Sequence, residues 1–251
     1  VGREQVMNAV AIIQARMTST RLPGKVLREA LGKPLLEYQI ERLRRCRRVD
    51  RLVVATTKNA ADDPVIALCD RLGIASFRGS EYDVLARYYE AATIFRADPV
   101  VRLTADCPII DPEVVDKVVG YYADTIGQYD HVSNAIMRTY PRGMDTEVFP
   151  YAALAIAHRE AEAAPQREHV TPFLHRQPAR FRLGHVLNDR DESRHRWTVD
   201  TPEDFDLISR IVSALYPSNP EFTMQDCLDL LSRHPDWYLI NAEVSQKKYG
   251  Q

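Results

Sequence analysis

The chain has 251 residues, 45% hydrophobic and 27% charged, with 33 Lys and Arg against 35 Asp and Glu for a formal charge of −2. That length can bury a sizeable core, and the near-neutral balance excludes a general polyanion binder, so no nucleic acid partner is expected. Cys46, Cys69, Cys107 and Cys227 form no CxxC pair, and no apolar run approaches the ~20 residues of a membrane helix, so a cytoplasmic protein without membrane contact is expected. The opening VGREQVMN has no apolar core of signal-peptide length, and residues before Met7 read either as a non-native remnant or as a short disordered lead.

Val10-Ala11-Ile12-Ile13 is an unbroken apolar run, the pattern of a strand buried on both faces of a parallel sheet. A polar loop follows to Lys25. The spacing of Leu36, Ile40 and Leu43 predicts a helix over 34–46 with Pro34 in its first turn. A strand is expected at 52–55, a helix from Asp62 to Leu72 stopped by Gly73, a strand at 74–77, and a helix over 82–95. Residues 100–103 read as the next strand and Asp111-Pro112-Glu113 opens a helix to about Tyr122, with a fifth strand at 131–133. Strands alternating with helices of this length imply right-handed crossovers, a mostly parallel sheet, and ligands at the carboxyl ends of the strands.

The second half changes character. Residues 138–147, RTYPRGMDTE, are polar and turn-like, and helices are expected at 152–163 and 167–176. Strands are expected at 181–186 and 197–199, a helix opening at Thr201, one more helix at 224–231, and a proline-containing extended end. With no repeat or linker, the expectation is one domain over 1–251, its nucleotide-binding half 1–135 and its acceptor-binding half 136–251.

The loop after the first strand carries Arg16, Arg21 and Lys25 among Thr18, Ser19, Thr20 and a Pro23-Gly24 turn, and no carboxylate. A triphosphate needs such a setting: backbone N–H groups in a turn, bidentate arginine donors, and a glycine that lets the backbone approach. The loop matches neither GxxxxGK[ST] nor GxGxxG. Its bland alternative is a basic surface loop without a ligand.

Two aspartates stand out as metal ligands. Asp106 follows a predicted strand, while Asp111 and Pro112 already start the next helix. Asp200 precedes Thr201-Pro202-Glu203-Asp204, in which Thr201 and Asp204 form a capping box without it. Each carboxylate is thereby left over at a strand end, where Mg²⁺ could sit between it and phosphate oxygens.

The loop Gln14-Ala15-Arg16 to Ser19-Thr20-Arg21-Leu22-Pro23-Gly24-Lys25 resembles that of the cytidylyltransferases that activate acidic sugars, the CMP-Kdo and CMP-sialic acid synthetases. It is most similar to their relatives, the spore coat polysaccharide biosynthesis protein F family. The resemblance spans nearly the whole chain, through Thr104 to Pro108, Pro141 to Glu147, Arg167 to Thr171, Arg196 to Asp204 and the closing Gln246 to Gly250. It implies a nucleotide-diphospho-sugar transferase fold, a Rossmann-like three-layer α/β/α sandwich, and a homodimer. It implies that Lys25 and Arg16 bind nucleotide phosphates, that Asp106 and Asp200 bind Mg²⁺, and that Ala15, Thr56 and Gly79 lie near the base, with Arg21, Gly24 and Thr104 completing the nucleotide site.

The acceptor differs, because the sugar-acid synthetases have other residues around Pro141 to Glu147. Arg142, Asp145, Glu147, Arg167, Glu168 and His169 combine charges of both signs, suited to a small acidic or phosphorylated sugar-like acceptor. The bland reading makes Arg167 and Glu168 a surface ion pair and His169 structural. The expected reaction transfers CMP from CTP with release of pyrophosphate. The rivals are use of GTP or UTP, a glycosyltransferase of similar fold, and an inert nucleotide-binding protein; Thr104-Ala105-Asp106 lacks the first aspartate of a DxD motif, against the glycosyltransferase.

Overall fold

The computed structural model describes residues 7–246. Residues 1–6 and 247–251 lie outside the described residues, and with them the lead before Met7 and all of the closing motif except Gln246. The chain begins with β1 (Val10–Gln14), whose five residues are all apolar except the last. A small hairpin, β2 (Glu29–Ala30) and β3 (Lys33–Pro34), leads into α1 (Leu35–Leu43). Then come β4 (Arg51–Thr57), α2 (Asp63–Leu72), β5 (Ala75–Gly79), α3 (Val84–Phe95), β6 (Val100–Thr104) and α4 (Pro112–Asp124). After β7 (His131–Ser133) and β8 (Glu147–Phe149) the order is α5 (Tyr151–Glu160), α6 (Ala164–His169), α7 (Pro172–His175), β9 (Leu183–His185), α8 (Pro202–Leu215) and α9 (Met224–Arg233).

The described strands form a seven-stranded sheet in the order β5-β4-β1-β6-β8-β7-β9. β1 pairs in parallel with β4 and β6, so Gln14, Ala55 and Thr104 lie level with one another near the strands' carboxyl ends. Alternate residues of β1 face opposite layers: Ala11 and Ile13 meet α1, α4, α8 and α9, while Val10 and Ile12 meet α3, α5 and α7. That alternation gives the expected three-layer α/β/α sandwich with a mostly parallel sheet.

Four expectations need correcting. Residues 138–147 are not all turn, because Glu147 starts β8, which is antiparallel to both β6 and β7. The predicted strand at 197–199 does not form. Its backbone bonds to loops instead, Trp197 N–H to the Arg142 carbonyl at 2.7 Å and Val199 N–H to the Asp106 carbonyl at 2.8 Å. The helix over 167–176 is broken at Val170, where φ is +71°, and the extended end holds a 3-10 turn, Pro235–Leu239. The helix starts hold: Asp111 caps α4, and Thr201 with Asp204 closes a capping box on α8. The four cysteines are free thiols, and among the described residues no helix is long and apolar enough to cross a membrane.

Candidate active site

A cavity of about 700 Å³ opens over the carboxyl ends of β1 and β6. One wall includes Gln14, Arg16, Arg21, Lys25, Thr104, Asp106 and Asp200; the other includes Arg102, Arg142, Asp145, Glu147, Glu168, His169 and His175.

The loop between β1 and Lys25 is held at three points. Leu22 is buried in the core, Gly24 N–H donates to the Met17 carbonyl at 2.9 Å, and Met17 N–H donates to Asp62 Oδ1 at 2.7 Å. Gly24 adopts φ +69°, which costs a glycine nothing, and its turn starts a 3-10 segment, Lys25–Leu27, that directs the lysine inward. Asp62 is wholly buried and also accepts from the N–H and hydroxyl of Thr57 at the end of β4. In the sequence it reads as a helix start, and its partner Met17, forty-five residues upstream, gives no local signal.

Asp200 is brought to Asp106 by the same loop bonds that prevent a strand at 197–199. Gly143 makes the approach possible: at φ +111°, a Cβ there would lie 2.7 Å from the Trp197 carbonyl carbon. The result is that Lys25 Nζ sits 2.7 Å from Asp200 Oδ1 and 3.1 Å from Asp106 Oδ2. Asp200 Oδ2 is also 2.9 Å from Arg21 and 3.0 Å from Arg196, and Arg196 is held in turn by Asp204 at 2.8 Å. Thr104 Oγ1 donates to Asp106 Oδ1 at 2.6 Å.

Burial by itself would lower the Lys25 pKa, but the charges of Asp106 and Asp200 outweigh it and raise it. Burial would likewise raise the Asp106 carboxyl; Lys25 and the Thr104 hydroxyl hold it down at about 2. Both groups are therefore charged at neutral pH. Two carboxylates that already bracket one cation, with a hydroxyl beside them, are a hard oxygen donor set suited to Mg²⁺. Among the described residues no group of three or more His, Cys, Asp or Glu side chains could hold a metal, so phosphate oxygens would have to complete the coordination.

On the other wall Glu147 is paired with Arg102 and accepts from His131 Nε2 at 2.8 Å. Burial would raise its carboxyl, and Arg102 and His131 pull it well below the ordinary range. Asp145 is held bidentately by Arg138 at 2.6 and 2.8 Å. Arg142 lines the cavity and makes no side-chain hydrogen bond or ion pair with another described residue, and burial and the nearby Arg138 lower its pKa. An arginine in that state favours an anionic ligand. Burial also lowers the pKa values of His169 and His175, which leaves two neutral imidazoles in the wall.

Five expected residues do not line the cavity, among them Gly24, which shapes the turn before Lys25. Arg167 points away from the cavity and clamps Asp83, the cap of α3, at 2.5 to 3.1 Å, so its partner is not Glu168. Ala15 and Thr56 are buried at the ends of β1 and β4, and Gly79 packs on Arg87, whose Cγ would lie 2.8 Å from an added Cβ. Gln14, Arg102 and His175 were missed. Arg102 had a readable signal, a charge inside the apolar run Val100-Val101-Arg102-Leu103.

Comparison with known proteins identifies the family. Residues 10–228 match the family model described as cytidylyltransferase. The chain is 35% identical over 236 residues to the spore coat polysaccharide biosynthesis protein SpsF of Bacillus subtilis, covering 90% of this chain and 94% of that protein. It is similar to a cytidylyltransferase structure from Leptospira borgpetersenii serovar Hardjo-bovis, with TM-score 0.89 and 32% identity over 96% of this chain and 100% of that one. A CMP-2-keto-3-deoxy-manno-octonic acid synthetase solved with CTP shares the fold at TM-score 0.63 and 20% identity, over 82% of this chain and 99% of that one. A basic loop that delivers a lysine onto two aspartates, one just after β6 and one in the loop before α8, is thus found in a chain that belongs to the cytidylyltransferase family of nucleotidyltransferases.

Proposed function

We propose that the protein transfers CMP from CTP to a small acidic or phosphorylated sugar-like acceptor, releasing pyrophosphate, in the synthesis of a surface polysaccharide or glycan. The observation that carries this reading is the Lys25 ammonium between Asp106 and Asp200 at one side of the cavity, with Arg142 facing the cavity from the other. An acceptor oxygen attacks the α-phosphorus of CTP, a P–O bond forms, and the bond to the β-phosphate oxygen breaks as pyrophosphate leaves. Lys25, Arg16 and Arg21 bind the phosphates and stabilise charge on the leaving group, so positioning and electrostatics supply most of the acceleration. Asp106 and Asp200 would hold Mg²⁺, which neutralises phosphate charge when bound. Gly24 and Thr104 shape the phosphate site, and Ala15, Thr56 and Gly79 support the base from the ends of their strands.

At the acceptor end Arg142 takes the acidic group, while Asp145, Glu147 and Glu168 accept from hydroxyls or fix the arginines that do the binding. Arg167 acts there only by anchoring α6, and His169 presents a neutral imidazole. Pyrophosphate release from each NTP, with Mg²⁺ and a panel of acidic sugars and sugar phosphates, tests the reading. Release with CTP and an anionic acceptor supports it; release only with GTP or UTP, or none despite tight CTP binding, overturns it. The proposed assembly is a homodimer in the cytoplasm, and light scattering tests the dimer.

A further inference from the structure

We propose that Lys25 is the resident cation of the two-aspartate site and excludes a divalent metal until nucleotide phosphates draw its ammonium away. The inference rests on the reading of Asp106 and Asp200 as metal ligands. The ammonium lies within hydrogen-bond distance of one oxygen from each carboxylate, 2.7 and 3.1 Å, and the lysine side chain is only 12% exposed. It therefore fills the space that any cation shared by the two carboxylates would need.

The charges around it are already balanced. Asp106, Asp200 and Asp204 carry three negative charges, and Lys25, Arg21 and Arg196 carry three positive ones within the same set of ion pairs. A divalent ion entering alone would leave the cluster with excess positive charge beside a buried ammonium, which is unfavourable in a poorly solvated site. A triphosphate changes the balance. Its oxygens give Lys25 and Arg21 new partners, and the carboxylate oxygens they vacate become available to metal. Nucleotide and metal binding are then positively coupled, and by linkage each strengthens the other equally. Arg196 stays behind, because both its Nε and Nη2 are held by Asp204 at 2.8 and 2.9 Å.

The test is Mn²⁺ binding to the full chain without nucleotide, followed by electron paramagnetic resonance of the free ion. Wild type is expected to bind weakly and Lys25→Met ~10-fold or more tightly, a coupling of ordinary size. Arg21→Met is expected to gain less, because Arg21 meets the other oxygen of Asp200 and is 28% exposed. Equal affinities for wild type and Lys25→Met would overturn the proposal. A measurement on wild type alone does so too: Mn²⁺ bound as tightly without nucleotide as with a CTP analogue carrying a non-cleavable α,β-methylene bridge. Mn²⁺ missing from the protein fraction even with that analogue would overturn the metal reading itself, an outcome distinct from a lysine that does not gate.

Discussion

Replacing Asp200 by Asn removes one negative charge from a point where three cations meet, and the fate of each cation sets the cost. Lys25 keeps Asp106 at 3.1 Å, and Arg196 keeps Asp204 at 2.8 Å. Each of those two loses one of its two carboxylate partners, whereas Arg21 loses its one described ion pair, and at 28% exposure it can turn to water. The helix behind it keeps its capping box, since Thr201 and Asp204 are untouched. The loss in stability is therefore ~1–2 kcal/mol, below the ~3–5 kcal/mol of orphaning a buried charge. In a chain of this size that lowers Tm by ~2–8 °C. Turnover should fall much further, by ~10²–10³-fold, the cost of deleting one group that organises charge in a transition state. Asp204→Asn supplies the contrast. Asp204 is wholly buried and accepts from Arg196, the backbone of residues 200 and 201 and the Asn241 amide, so that variant should lose ~3 kcal/mol or more. Calorimetry and a coupled pyrophosphate assay on both variants decide the matter. Wild-type turnover in Asp200→Asn, or melting as low as Asp204→Asn, would refute the reasoning.

Asp62→Asn should loosen the phosphate loop at Met17, raising KM for CTP more than it lowers kcat at a stability cost of ~2 kcal/mol; an unchanged KM beside a lowered Tm would make Asp62 purely structural. Gly143→Ala places a methyl against the Trp197 carbonyl at positive φ, so ~3 kcal/mol of destabilisation and loss of turnover are expected, measured by denaturant unfolding and pyrophosphate release. Arg142→Ala should raise KM for the acceptor at least tenfold while leaving KM for CTP unchanged in steady-state kinetics. The Asp106 pKa is lowered from 3.8 to about 2, so it stabilises the fold above pH ~4 by ~2 kcal/mol, lost as pH falls through 2. Glu147 is lowered as well and adds to the same acid-side loss, so Asp106→Asn should flatten only part of an acid-unfolding curve followed by circular dichroism.

Much of the first half was legible because its signals are local. Val10 to Ile13, the helix faces and the cap at Asp111 announce themselves within a few residues, as does the cap at Thr201 further on, and the structure places each of these elements within three residues of its expected ends. Asp106 and Asp200 could be singled out because their neighbouring helices were capped without them. Their convergence with Lys25 was expected from the basic loop and the resemblance together and not from a local signal, since the contacts span 81 and 175 residues and depend on loop bonds at Arg142 and Trp197. Failures share that cause. Val199 is apolar and β-branched, yet its N–H finds the Asp106 carbonyl instead of a strand. Arg167 sits next to Glu168 in sequence, but its geometry favours Asp83 across the gap between α6 and α3. The three residues of β8 were too few to show an alternation.

The reversed direction of β8 reaches beyond topology. In a parallel strand the ligand edge is reached at its end, after the chain has crossed the sheet; β8 touches that edge at its first residue, Glu147, directly out of the segment that carries Arg138, Arg142 and Asp145. That stretch thereby enters the sheet from outside, next to β6 but not within the β5-β4-β1-β6 block beneath the basic loop. On the proposed function, it can change to suit another acceptor while the block beneath the basic loop stays as it is.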